Sequence, residues 1–208
     1  MSDIVVISHR GFWRTPEERN QPVAFEHSVN QAFGTETDVR DRGGELVVAH
    51  DLPDLNSRSW SEVVDLFEGT ALPLAVNVKA DGLSDLLKIA MHGRSIDWFA
   101  FDMSGPETIR YARAGLPFFT RHSDIETTPI LYQAASGVWL DAFEDTWFDT
   151  AVIQGHLARG KRVCVVSSEL HGRPYQDLWG MLRAMDAPGE TLLLCTDHPD
   201  LARSYFAS

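Results

Sequence analysis

Short apolar, β-branched runs recur along this chain, and between most of them apolar residues stand three and four positions apart. The first run, Ile4-Val5-Val6-Ile7, reads as a buried strand that ends in Ser8-His9-Arg10-Gly11. Residues 12–23 are polar and proline-bearing and read as a loop. Phe25, Val29 and Phe33 then mark a short helix over 24–33, closed by Gly34. Residues 35–40 alternate strictly, and 46–49 resume across Asp41-Arg42-Gly43-Gly44, which predicts a hairpin. Residues 60–67 predict a helix capped by Ser59 or Ser61.

The rest of the chain alternates strand and helix. Strands are predicted over 72–79, 98–103, 117–121, 137–142, 162–167 and 192–196. Helices are predicted over 83–91, 106–114, 146–158, 175–185 and 200–205, with a weaker helical pattern over 125–134. With 4–7 and 35–40 this makes eight strands, each followed by helical material. Eight such units predict an α/β chain folded as a single (βα)8 TIM barrel domain over residues 1–208, near the small end of that fold.

Composition narrows the classes. At 208 residues and 44% hydrophobic, one sizeable core is expected. A net charge of -12 argues against a nucleic-acid partner or an anionic membrane, while leaving room for a local cationic pocket. The two cysteines, Cys164 and Cys195, lie in apolar runs and read as buried free thiols. No run approaches the ~20 apolar residues of a membrane span. No signal peptide is visible at the N-terminus, so a soluble, cytoplasmic protein is expected.

In a barrel the carboxyl ends of the strands share one mouth. His9 and Arg10 stand at the first such end, Glu36 and Asp38 on the second strand, and His50 after the hairpin. Asn77 and Lys79, Asp102, Arg121 and His122, and Asp141 stand at later ends, followed by Ser167, Ser168 and Glu169, then Asp197 and His198. Glu36 and Asp38, two apart on a strand, share a face. Turned inward, two close carboxylates require a divalent metal ion or a shared proton. The bland alternative is that 35–38 is the solvent face of an antiparallel edge strand, with His9 and His50 as ordinary core or surface histidines. Two histidines, two alternating carboxylates and an arginine together are the parts of a metal-assisted phosphodiester site.

Taken together, His9-Arg10-Gly11, Glu26-His27-Ser28, Gly34-Thr35-Glu36-Thr37-Asp38-Val39, Val47-Val48-Ala49-His50-Asp51 and Thr196-Asp197-His198-Pro199 resemble the glycerophosphodiester phosphodiesterase family. That family sits within the phosphatidylinositol phospholipase C-like phosphodiesterase superfamily of barrels. The resemblance implies that His9 and His50 share acid and base work and that Glu36 and Asp38 bind a divalent metal, Mg²⁺ or Ca²⁺. It implies that Arg10 and Lys79 surround the phosphate. Asn77 departs from the pattern, since the family has a third acidic ligand there; an amide oxygen can coordinate but brings no charge, and Asp102 is a substitute candidate. The usual insertion after the His-Asp pair is also missing, so a more open mouth is expected, and simple glycerophosphodiesters need not be the substrate.

The polar stretch 167–173 offers Glu169, His171 and Arg173 for substrate binding, or else a charged surface loop. Arg121 and His122 offer a weaker version of the same choice. Trp13, Trp139 and Trp147 are either packing residues or stacking platforms. The expected function is a metal-dependent phosphodiester hydrolase acting on a small-molecule diester, using two histidines as acid and base and passing through a cyclic phosphate. The alternatives are a barrel that binds an anionic phosphate or sugar-phosphate ligand with weakened turnover, and a lyase using Lys79 as a Schiff-base nucleophile. Oligomeric state is not legible.

Overall fold

The computed structural model describes residues 4–185 and 190–207. The two ends of the expected 1–208 domain, residues 1–3 and 208, and the internal stretch 186–189 lie outside the described residues. The chain divides into two compact units, residues 8–118 and residues 1–7 with 119–208. Strand β1 (Val5–His9) runs through the boundary.

The unit of residues 8–118 holds α1 (Pro22–Asn30), β2 (Gly34–Arg42), β3 (Glu45–Val48), β4 (Arg58–Ser59), α2 (Trp60–Phe67), β5 (Leu74–Val78), α3 (Ser84–Met91), β6 (Trp98–Phe101) and α4 (Gly105–Ala114). β2, β5 and β6 are parallel, while β3 and β4 extend the sheet antiparallel from the far half of β2. The β2–β3 turn is tighter than the four residues expected. Arg42 pairs with Glu45, leaving Gly43 and Gly44 with φ of 61° and 88°, the backbone of a two-residue hairpin that only glycine adopts without strain. Ser59 caps α2 by accepting the Ser61 amide, and Gly115 ends α4 in a left-handed conformation.

The exit from β1 is fixed by a second close approach. Gly11 has φ +84°, and a Cβ there would stand 2.7 Å from the Ala24 Cβ of α1. The Phe12 amide uses that space to donate to the Ala24 carbonyl at 3.0 Å. Beneath it, the buried Ser8 hydroxyl meets Ser28 Oγ at 2.8 Å and Thr35 Oγ1 at 3.0 Å, tying the end of β1 to α1 and β2. Ser28 therefore serves packing and hydrogen bonding, while Glu26 lies exposed.

The other unit holds β7 (Phe119–His122), β8 (Gly137–Leu140), α5 (Thr150–Leu157), β9 (Arg162–Val166), α6 (Gln176–Arg183), β10 (Leu192–Thr196) and α7 (Pro199–Ala207). Its four strands run parallel in the order β7-β8-β9-β10. Their residues are buried on both faces, as near-continuous apolar runs predict. Cys164 and Cys195 are buried there and not joined in a disulfide, as expected. Trp139 is also core.

All eight strands expected from the sequence are present in a mixed α/β fold rich in parallel pairing. Three helices differ from expectation. α1 ends at Asn30, followed by Ala32 in a left-handed backbone with φ 55°, so that Phe33 lies beyond it and Gly34 already begins β2. Residues 125–134 form turns and no helix, because Pro129 and the preceding threonines break the register and Ile125, Ile130 and Leu131 stay partly or largely exposed. α5 begins at Thr150 and not at 146, since the Asp149 carboxylate caps the amides of Ala151 and Val152. Among the described residues no helix is long and apolar enough to cross a membrane.

Candidate active site

Thr35, Glu36, Thr37 and Asp38 are buried, at most 1% exposed, and they pair with β5. The solvent-edge alternative is therefore wrong for this stretch. Since Glu36 and Asp38 share a face of β2, two carboxylates sit together inside the unit.

Four neighbouring groups meet them. Arg10 Nε lies 3.2 Å from Asp38 Oδ2 and Lys79 Nζ lies 3.3 Å from Asp38 Oδ1. His9 Nε2 stands 3.9 Å from Glu36 Oε2, and the Arg10 backbone amide donates to that same oxygen at 3.0 Å. Arg10 takes a left-handed backbone, φ 56°, uncommon for a residue with a side chain, which lets one residue address Glu36 with its amide and Asp38 with its guanidinium. Two cations thus compensate Asp38. Glu36 is less well served: burial first, and then the charge of Asp38, push its pKa up to about 7 against the pull of His9, Lys79 and Arg10.

A fifth group comes from a residue that sequence reasoning missed. Asn20 donates from Nδ2 to Asp38 Oδ2 at 2.7 Å and accepts the Thr37 hydroxyl on Oδ1 at 2.9 Å. Its backbone is also left-handed, φ 58°, and its amide donates to the Arg10 carbonyl at 2.9 Å. The only available signal was an asparagine in a polar loop, a residue type that tolerates this conformation.

Asn77 is in register with Asp38 across β2 and β5, and its buried Oδ1 has no hydrogen-bond partner. An orphaned amide oxygen beside two buried carboxylates is the donor set of a hard divalent cation, so the residues present fit a metal of the Mg²⁺ or Ca²⁺ kind. Among the described residues no cluster of three His, Cys, Asp or Glu side chains is placed for a metal; the candidate set is two carboxylates and one amide. Asp102 follows β6 with a left-handed backbone, φ 67°.

His50 lies on the wall of an open cleft of about 570 Å³ that also includes Arg10, Arg19, Asn20, Asp51 and Arg58. Arg10 and Asn20 thus connect the cleft to Asp38. His50 Nδ1 is 2.9 Å from Asp51 Oδ1; a carboxylate only accepts, so Nδ1 carries the hydrogen and Nε2 is left for proton transfer. Trp13 is half-buried, donates to the His9 carbonyl at 3.0 Å, and has the Arg19 guanidinium 4.2 Å above its ring.

Glu169, His171 and Arg173 lie in the other unit, each held by groups of that unit. Glu169 accepts from the hydroxyls of Ser167 and Thr196 and from the Asp197 amide, joining the ends of β9 and β10. His171 Nε2 is 2.7 Å from Asp141 Oδ1, and Arg121 Nη1 donates to Asp141 Oδ2 at 2.6 Å. Arg173 donates to the Ala142 carbonyl. His122 Nδ1 lies 3.0 Å from His156 Nε2, and His156 Nδ1 lies 2.8 Å from the Tyr132 hydroxyl. Burial, then the neighbouring His122 and Arg159 charges, lower the His156 pKa to about 4.

The chain is similar in fold to the crystal structure of glycerophosphodiester phosphodiesterase from Agrobacterium tumefaciens str. C58, with a TM-score of 0.68 over 99% of this chain and 100% of that one. Sequence identity between the two is 16%. No protein-family model matches the chain, and no curated protein matches it either.

Proposed function

We propose that this chain is a phosphoric diester hydrolase resembling glycerophosphodiester phosphodiesterases, with its eight parallel strands closed as a (βα)8 barrel. The observation that carries the reading is the buried pair Glu36 and Asp38, met by His9, Arg10 and Lys79. The fold likeness supports it. Buried cysteines that form no disulfide fit a reducing compartment such as the cytoplasm.

A phosphodiester resists attack because its own negative oxygens repel the nucleophile, so cations aimed at those oxygens lower the barrier. Arg10 and Lys79, oriented by Asp38, supply two. A divalent ion held by Glu36, Asp38 and Asn77 would add Lewis-acid polarisation of the phosphoryl group. One of His9 and His50 takes the proton of the attacking hydroxyl, either the substrate's own neighbouring hydroxyl or water, as the new O–P bond forms. The other delivers a proton to the leaving alkoxide as its bond to phosphorus breaks. With the substrate's hydroxyl as nucleophile, the first product is a cyclic diester, which water opens with the two histidines in exchanged roles. Substrate contacts from Glu169, His171 and Arg173 remain part of the proposal, made beside the internal bonds these residues already have.

A second reading, a protein that binds an anionic phosphate or sugar phosphate with little turnover, is favoured by Asn77 standing where the resembling family has an acid. Both readings are tested with bis-(p-nitrophenyl) phosphate, with and without Mg²⁺, Ca²⁺, Mn²⁺ and EDTA. The hydrolase reading expects metal-dependent turnover that falls by about 100-fold or more in His9→Ala and in His50→Ala. Turnover indifferent to EDTA, or retained by both variants, overturns it. Phosphate binding without turnover would favour the second reading.

A further inference from the structure

A second space opens in the unit of residues 8–118, lined by none of the residues that line the His50 cleft. β3 lies against both α2 and α3, and the groove bordered by all three has a volume of about 380 Å³, within the range of small-molecule sites. Leu46 of β3, Trp60 and Val64 of α2, and Leu86 and Ile89 of α3 give it an apolar lining. Ile89 is 74% exposed, so an apolar side chain faces water inside this lining and adds little to the core.

The polar groups of the groove set the chemistry of its occupant. Trp60 is 2% exposed, and its Nε1 has no hydrogen-bond partner among the described residues, which leaves a buried donor for a ligand oxygen. The exposed Glu45 side chain has neither a hydrogen bond nor an ion pair among the described residues. Arg94, the cation of the lining, is matched by Asp65 at 2.9 Å and Glu68 at 3.4 Å. Glu62, in the first turn of α2, offsets the positive end of that helix. The uncompensated charge is therefore negative, and the net charge of -12 has the same sign. We propose that this groove binds a small primary amine with an apolar body and a neighbouring carbonyl. The ammonium meets Glu45, the body packs on Leu46, Val64 and Ile89, and the carbonyl accepts the Trp60 N–H. The site is separate from the hydrolase reading and does not depend on it.

Titration of the isotope-labelled full chain with L-phenylalanine amide, followed by nuclear magnetic resonance, tests the proposal. The indole N–H resonance of Trp60, assigned with Trp60→Phe, is expected to shift on binding. Phenethylammonium, which keeps the charge and the ring but has no carbonyl, should bind about fivefold more weakly. 3-Phenylpropionate, which carries the opposite charge, should bind more weakly still. Ile89→Lys and Glu45→Gln both alter exposed positions, so the fold should survive each. Ile89→Lys should weaken L-phenylalanine amide about tenfold, by removing apolar area and adding a like charge. Glu45→Gln should weaken it by up to about fivefold and narrow the gap to 3-phenylpropionate. A Trp60 resonance that stays in place overturns the proposal. So does 3-phenylpropionate or phenethylammonium binding as tightly as L-phenylalanine amide, or wild-type affinity retained by Ile89→Lys.

Discussion

Asn20 Nδ2 holds Asp38 Oδ2 at 2.7 Å, across eighteen residues of sequence. Through Thr37 and the Arg10 carbonyl, the same side chain and its amide join three segments around one carboxylate. Asn20→Ala removes a buried donor from a charged acceptor and places alanine in a left-handed backbone. A loss of about 1–3 kcal/mol is expected in urea unfolding. Diester turnover should also drop, because Arg10 and Asp38 lose their shared support. Unchanged stability and turnover would show that Asn20 does not position the pair.

Asn77→Asp tests the candidate metal set without relying on turnover. The substitution keeps shape and adds a third negative charge in register with Asp38. Without metal the variant should melt below the wild type, because three buried carboxylates repel one another. With Mg²⁺ or Ca²⁺ its affinity by calorimetry should be about tenfold tighter, since affinity follows the charge count of the ligands. Equal titrations for both proteins would remove Asn77 from the set.

Gly11→Ala tests the exit from β1. A methyl group there meets Ala24 Cβ at 2.7 Å and its backbone carbon at 2.9 Å, on a residue with φ +84°. Neither neighbour is the end of a flexible side chain. Destabilisation of about 2–4 kcal/mol is expected, as strain and overpacking add. A midpoint shift of under ~0.5 kcal/mol equivalent would mean that α1 moves aside freely.

Periodicity made most strands legible because they are apolar runs with little else to compete, and β2 legible because its residues alternate. The carboxylate pair was legible because strand alternation forces residues two apart onto one face, whatever the tertiary fold. What escaped depends on contacts distant in sequence. Asn20 acts through a left-handed turn that no local pattern specifies, and Ser8, Ser28 and Thr35 meet only after β1, α1 and β2 have packed. Residues 125–134 read as a weak helical segment, yet the Thr120 hydroxyl donates to the Ile130 carbonyl and Ser123 Oγ accepts the amides of Ile125 and Glu126. Side chains thereby satisfy backbone groups that a helix would have used. Glu169 read as a ligand for substrate because a carboxylate after a strand invites that role; its bonds to Ser167, Thr196 and Asp197 became visible only with β9 beside β10.

The pair His122 and His156 predicts a pH-dependent stability separate from the candidate site. His156 accepts or donates at both ring nitrogens, to His122 and to Tyr132, and burial drives its pKa down to about 4. In the unfolded chain the value returns to about 6.5. Between these values the unfolded state binds the extra proton, so stability is fully present above pH ~6.5 and is lost as pH falls toward 4. After allowance for partial solvent screening, the loss attributable to His156 is about 2 kcal/mol. Urea unfolding of the wild type at pH 7.5 and pH 5, beside His156→Asn, measures it. The variant should be less stable at the higher pH, having lost a buried hydrogen-bond pair, and should lose less on acidification. Parallel pH profiles for the two proteins would show that His156 takes up no extra proton on unfolding, and that the depressed value is not a property of the folded chain.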